Sequence, residues 1–299
     1  VTVGRLGAAM SIDYLLTHPG GAHKDDFLAC SLMIALHGVP LVRREPTPGE
    51  LEDPRVCVID VGDRHEPENN NFDHHQFDRD HVPTCALSLV LQHLGVYEDA
   101  RLFCDWLEPA EWFDTRGPKK TAEWLGVERD IISKMNSPID ISMLRRFASV
   151  GKDDRLGSGD PVYELMRMIG EDLLDYLKGV RERIDFVAQR VCRWELEKDG
   201  EAFSVLVLPR TDESIDDASG GLARYLLVNG LDQEIAAIVY PDSRGTGYGL
   251  ARFNDHPKLD FCRVQDEADV HFAHNSGFLC KTSVTDEVRL KHLLIGAWG

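Results

Sequence analysis

The chain of 299 residues predicts an α/β protein: an N-terminal parallel-sheet domain plus a smaller C-terminal α/β domain, joined by a long helix. Three observations predict it. Short strand-like apolar runs alternate with helical patterns over residues 12–94. Residues 161–197 carry Glu, Asp, Arg and Leu at helical spacing. From residue 202 onward strands and helices alternate again. The expected boundaries are 10–160, 161–200 for the linking helix, and 201–299.

Each element has a local reason. Residues 12–17 (IDYLLT) read as a buried strand that ends at a polar His-Pro-Gly-Gly loop. Asp25 and Asp26 then open the apolar run 27–36, and acidic residues suit a helix N-terminus. Residues 40–44 and 55–60 (RVCVID) are further strands, the second rich in β-branched residues. Residues 84–94 are helical and stop at Gly95. Helix continues through 99–112, 122–125, 128–134 and 141–150. Gly157-Ser158-Gly159-Asp160-Pro161 marks the start of the long helix, or of two in succession. In the second domain 202–208, 234–240, 247–253 and 270–273 read as strands, with helices over 216–228 and 285–295. No internal repeat or low-complexity tract interrupts the pattern.

Composition narrows the class of function. Hydrophobic residues make up 43% and charged residues 28%, the balance of a globular chain. No apolar run reaches the roughly 18 residues of a membrane helix. The first nine residues are too short for a secretory signal and read as a vector-derived or upstream extension. Seven scattered cysteines without a Cys-x-x-Cys pair argue against a zinc ribbon or a thioredoxin-like motif, and fit a reducing, cytoplasmic compartment. The net charge of −18 repels long polyanions, so short oligonucleotides or small phosphoesters held through bound cations are the better-matched partners.

The chemistry concentrates in three clusters at predicted strand ends. His18, His23, Asp25 and Asp26 follow the first strand, Asp60 ends RVCVID, and Asp73-His74-His75 follow Phe72. In an open α/β sheet ligands bind beyond the carboxyl ends of the strands, so clusters distant in sequence can converge there. Imidazole plus carboxylate without thiolate selects a moderately hard divalent ion such as Mn²⁺. Taken singly, each cluster also fits a solvated loop, and Asp26 equally fits a simple helix cap.

Taken together, Thr17-His18-Pro19-Gly20-Gly21-Ala22-His23-Lys24-Asp25-Asp26, Val58-Ile59-Asp60-Val61-Gly62 and Phe72-Asp73-His74-His75-Gln76 resemble the DHH phosphoesterases, which include nucleases and manganese pyrophosphatases. The His18…His23-x-Asp25 form of the first motif, and Pro83-Thr84-Cys85-Ala86, are similar to the Myg-type (melanocyte-proliferating-gene) family of RNA exonucleases. Met135-Asn136-Ser137-Pro138, residues 182–186, residues 240–245 and residues 272–278 look like later segments of that family. The resemblance implies a DHH-type N-terminal domain with two ions, Mn²⁺ or alternatively Mg²⁺ or Co²⁺. His18, His23 and Asp60 would hold one, Asp25, Asp60 and His74 the other, with Asp60 bridging. One later aspartate is required; Asp114 is preferred, with Asp154 as competitor. His75 and Arg116 would face the phosphate, and His274, Ser276, Gly277 and Lys281 would contact substrate from the second domain. Asp60, His75 and Asp114 would be the catalytic residues.

Two departures bear on this. Thr115-Arg116-Gly117 stands where the family tends to have Asn-Gly, and Leu279-Cys280 replaces a Gly-Gly pair. The implied activity is metal-dependent shortening of short single-stranded RNA. A small-molecule phosphohydrolase on the same metal centre is the alternative, and a catalytically silent metal-binding protein a more remote one. Assembly into a homo-oligomer stays open.

Overall fold

A computed structural model describes residues 11–134 and 137–299. The readings of residues 1–9 and of Met135-Asn136 lie outside the described residues. Two compact units, Val1–Leu177 and Lys178–Gly299, divide the chain.

The first unit opens with β1 (Tyr14–Thr17), α1 (Lys24–His37), β2 (Leu41–Arg43), α2 (Pro48–Leu51), β3 (Val56–Ile59), β4 (His65–Glu66) and β5 (Asn71–Phe72). Helices α3 (Ala86–His93), α4 (Tyr97–Phe103), α5 (Leu107–Leu125), α6 (Arg129–Lys134) and α7 (Pro138–Ala148) follow, then β6 (Arg155–Leu156) and the start of α8 (Pro161–Ala188). The strands form one six-stranded sheet in the order β4-β5-β3-β1-β2-β6. β1 pairs in parallel with β2 and β3, and β3 in parallel with β5, whereas β4 and β6 run antiparallel at the two edges. The central strands are buried along their length, as expected of apolar runs covered on both faces.

Helix α1 starts where its sequence says it should. The Asp26 carboxylate accepts the His23 backbone N–H at 2.8 Å, satisfying a donor that the first turn leaves unpaired. The helix ends at Gly38, whose φ of 64° gives the left-handed C-terminal turn. α8 crosses α1 at Gly170, where a Cβ would come within 2.1 Å of the Ser31 carbonyl oxygen and 2.9 Å of the Ala35 Cβ.

Two helical readings need correction. Residues 99–112 are not one helix: α4 ends at Phe103 and α5 begins at Leu107. α5 then continues to Leu125, with a break at Gly117 (φ 74°) ahead of Pro118. A helix pattern cannot reveal that break, because glycine supplies a positive φ without altering the flanking periodicity. The long helix ends at Ala188, and residues 192–198 form a strand instead. Trp194 and Leu196 turn inward while Arg193, Glu195 and Glu197 face solvent, a period of two that charge-rich composition had disguised as helix.

In the second unit β7 (Cys192–Lys198), β8 (Glu201–Val207), α9 (Ala218–Val228), β9 (Ile235–Pro241), β10 (Tyr248–Arg252), β11 (Val270–Ala273), β12 (Leu279–Thr282) and α10 (Glu287–Ala297) build a mixed sheet ordered β11-β12-β10-β9-β8-β7. Alternation along β8 assigns its two faces. Phe203, Val205 and Val207 join Leu290, Leu293 and Leu294 of α10, whereas Leu206 packs with Leu222 and Leu226 of α9 and Val187 of α8. Among the described residues no helix is long and apolar enough to cross a membrane.

Candidate metal centre

Parallel pairing of β1, β3 and β5 puts their carboxyl ends on one edge, and the next residue in each case is a functional one: His18, Asp60 and Asp73. Asp60 takes a left-handed backbone conformation, φ 59°, which turns the chain sharply off the strand. Asp25 and Asp26 come from the first turn of α1. Asp114 arrives on α5, three residues before the Gly117 break.

The side chains converge. His74 Nε2 lies 3.1 Å from Asp60 Oδ1 and 3.1 Å from Asp114 Oδ2. His23 Nδ1 lies 3.3 Å from Asp114 Oδ1, and His18 Nε2 lies 3.2 Å from Asp26 Oδ2 and 3.4 Å from Asp60 Oδ2. Ligand atoms of His23, Asp25 and Asp114 fall within 4.8 Å of one another, as do those of Asp60, Asp73, His74 and His75. This grouping departs from the implied partition, since His23 sits with Asp25 and Asp114 and not with His18 and Asp60.

Hydrogen bonding separates two kinds of aspartate. The Asp26 oxygens are engaged: Oδ1 accepts from His23 and Phe27 N–H, and Oδ2 from the buried Arg43 guanidinium at 3.3 Å. Asp73 is engaged likewise, by the backbone N–H groups of Asp63, His74 and His75 and by the His75 ring at 2.7 Å. Asp26 and Asp73 therefore shape the site. By contrast, both oxygens of Asp25, Oδ1 of Asp60, Oδ2 of Asp114 and Nε2 of His74 are buried without a hydrogen-bond partner among the described residues. Such groups are costly to leave unpaired, and their close approach without hydrogen-bond geometry is the arrangement a cation resolves.

Electrostatics point the same way. Burial pushes the Asp25 carboxyl well above its ordinary range, with the charges of Asp60, Asp114 and Asp26 adding to it. Burial also raises Asp60. Burial opposes protonation of His74, but Asp114 and Asp60 outweigh it and push its pKa up to about 10. The clustered carboxylates attract positive charge, which Arg43 supplies only to Asp26. Divalent ions fit this donor set, which is all oxygen and imidazole nitrogen.

The remaining expected residues fall into three places. His75, half-exposed, and Arg116 line a cavity of about 650 Å³ together with His18, His23, Asp60, His74 and Asp114. Arg116 donates to the His81 carbonyl oxygen, which ties the loop after the DHH-like motif to α5. Asp154 stays outside this group: it is exposed and accepts the Gly151 N–H at 3.1 Å. His274, Ser276 and Gly277 form the turn between β11 and β12, where His274 Nδ1 accepts the Ser276 N–H and its ring lies on Phe278. Lys281 projects from β12 into a cavity of the second unit.

Two residues of the centre escaped the sequence. Arg43 lay inside the 40–44 strand reading without any assigned role, yet its guanidinium is fully buried and donates to the carbonyl oxygens of His18 and Gly21, each at 3.1 Å. Glu111 is also buried and receives the hydroxyls of Ser88 at 2.6 Å and Tyr97 at 2.7 Å, which clamps α5 to α3 and α4. A glutamate one turn before Asp114 was the only available hint.

This geometry gives an α/β protein with a His/Asp cluster that could hold a metal ion. Residues 14–95 match the family model MYG1_exonuc, described as an uncharacterised protein family (UPF0160), and the Myg-type resemblance is borne out over that segment. The match contains His18, His23, Asp25, Asp60, His74 and His75; Asp114 and the second unit lie beyond it. The family is named as an exonuclease. No curated protein matches the chain.

Proposed function

We propose that the protein is a divalent-metal-dependent phosphodiester hydrolase that removes nucleotides from an end of short single-stranded RNA. The observation that carries the reading is the set of buried, unpartnered donors on Asp25, Asp60, His74 and Asp114 at the carboxyl edge of the sheet. His18, His23, Asp25, Asp60, His74 and Asp114 would hold two ions, Mn²⁺ by donor type. Bound there, the ions would neutralise the carboxylates, polarise the phosphoryl oxygens and acidify a water for attack on phosphorus.

The chain's own groups do the rest. Asp73 accepts from His75 Nδ1 at 2.7 Å and raises the pKa of the ring, so in the imidazolium form Nε2–H is left for the cavity, where it would donate to a phosphoryl oxygen. Arg43 fixes the 18–21 loop and so the direction of His18. Arg116 adds positive charge at the cavity wall. A cavity of about 650 Å³ suits the end of a chain better than a duplex, in keeping with a net charge of −18.

The small size of the cavity also favours the second reading, a phosphohydrolase acting on pyrophosphate or mononucleotides. A time course with Mn²⁺ on 5′- and 3′-labelled RNA of several lengths, beside DNA and pyrophosphate, separates the two. A ladder of shortened RNA supports the exonuclease. Rapid orthophosphate release with intact RNA leaves the small-molecule enzyme in its place.

A further inference from the structure

The mixed sheet of the second unit ends in two unlike edge strands. β11 has four residues and its register slips between Val270 and Phe272, so His271 is the extra residue of a bulge. Short, bulged edges resist pairing with another chain. β7 is the opposite case. Its seven residues, Cys192–Lys198, run in unbroken register with β8 from Cys192↔Val207 to Lys198↔Glu201. Among the described residues no strand pairs with its outer side.

The hairpin turn decides which backbone groups face outward. Asp199 and Gly200 both take positive φ, 52° and 81°, the two-residue turn whose flanking residues, Lys198 and Glu201, form a hydrogen-bonded pair. In an antiparallel ladder such pairs alternate with non-hydrogen-bonded ones. Leu196, Trp194 and Cys192 therefore bond to β8, and the N–H and C=O groups of Arg193, Glu195 and Glu197 point to the open edge. The far side of β8 keeps the same alternation, since the Leu208 N–H donates to the Val239 carbonyl oxygen of β9 at 2.8 Å. Side chains follow the same period. Trp194 and Leu196 belong to the core that α10 covers, whereas Arg193, Glu195 and Glu197 are exposed on the other face.

We infer that β7 pairs with the β7 strand of a second copy of this chain, antiparallel about a two-fold axis at Glu195, so that two sheets become one. The strand is self-complementary in that register. Arg193 lies opposite the partner subunit's Glu197, and Trp194 opposite the partner subunit's Leu196. Opposite charges directly across an antiparallel pair stabilise it, and like charges do the reverse. The one like pair, Glu195 against the partner subunit's Glu195, is relieved within each chain. Glu195 accepts from the Arg193 guanidinium at 2.5 Å and from the Ser204 hydroxyl at 2.6 Å. Glu234, at 2.7 Å, also holds Arg193, whose side chain remains 41% exposed. The outward backbone groups of residues 193, 195 and 197 meet their counterparts in this register. An axis at Glu197 would instead set Glu195 against Asp199, and one at Arg193 would leave Glu195 and Glu197 beyond the end of the opposing strand.

The test uses the full chain. Sedimentation velocity between about 1 and 100 μM should show a concentration-dependent dimer, since strand pairing alone makes a small interface of the weak class. Arg193→Glu should weaken association about tenfold or more, and adding Glu197→Arg should restore it, because opposite charges again face each other across the axis. A role for Arg193 confined to its own chain predicts no rescue, since Glu195 and Glu234 would still face a carboxylate. Glu195→Cys, in a Cys192→Ser background, supplies a second reading. Residues on the axis meet at about 5.5 Å between Cα atoms, within disulfide reach, so mild oxidation should link two chains. Asp232→Cys in the same background, exposed and away from the edge, should link far less. A chain that stays monomeric throughout, a double variant as weak as Arg193→Glu, or cross-linking of Glu195→Cys no greater than that of Asp232→Cys would overturn the inference.

Discussion

Asp25 and Asp242 are both buried aspartates, yet the protein treats them in opposite ways. Asp25 has no hydrogen-bond partner, and burial among other carboxylates drives its carboxyl upward. Burial works in the same direction on Asp242, but Lys281 and the Arg244 N–H outweigh it and hold the carboxyl below its usual range. Asp25 is thus left without a paired cation among the described residues, whereas Asp242 already has Lys281. Low exposure alone does not make equal sites; the partner inside the protein decides which way the carboxyl shifts.

The largest effect that would break this contrast is loss of the centre's charge. Asp60→Asn or Asp114→Asn should lower turnover with Mn²⁺ by about a thousandfold or more, since Lewis-acid stabilisation contributes several kcal/mol. Metal analysis of the purified variants should show ions lost. Asp154→Asn should behave as wild type; a severe Asp154→Asn with a silent Asp114→Asn would reverse the assignment of the last ligand.

A smaller loss is expected for His75→Ala, about ten- to a hundredfold in turnover with metal content unchanged, because a hydrogen bond to a charged group contributes about 1.5–3 kcal/mol. Lost metal in this variant would move His75 among the ligands. Glu111→Leu should cost about 1–3 kcal/mol of stability, seen in denaturant melts, as the Ser88 and Tyr97 hydroxyls lose their buried acceptor. A variant that melts like wild type would show that α5 is held by packing alone.

The smallest effect is a dependence on pH. The folded-state pKa of Asp242 is depressed, so its contribution to stability is present above the unfolded value of about 3.9 and is lost as pH falls through the lower folded value. Stability curves of wild type and Asp242→Asn should therefore converge in acid and separate above about pH 4. Parallel curves would mean that Lys281 does not bind the ionised form.

The sequence made much of the first unit legible because the signals were local. His18, Asp60 and Asp73 each stand one residue past a strand, so locating three strands located three corners of the centre. Asp114 was reached only through the family resemblance; nothing in residues 99–125 alone distinguishes it, and the Gly117 break was invisible to periodicity. Arg43 ended an apolar triplet and gave no sign that its charge turns inward. The β7 strand was hidden because alternating charges also satisfy a helical count over seven residues. His271 depends on a slip between paired strands, a property of two segments that neither carries by itself.

The crossing at Gly170 has a consequence for anyone reading variants of this protein. Any side chain there must push α1 away at Ser31, and α1 carries Asp25 in its first turn. A change as small as Gly170→Ala would then disturb the candidate metal centre through α1, although residue 170 is not one of its residues. The tolerance of that centre is set partly by a helix seam, and a survey of changes confined to the cavity wall would overlook it.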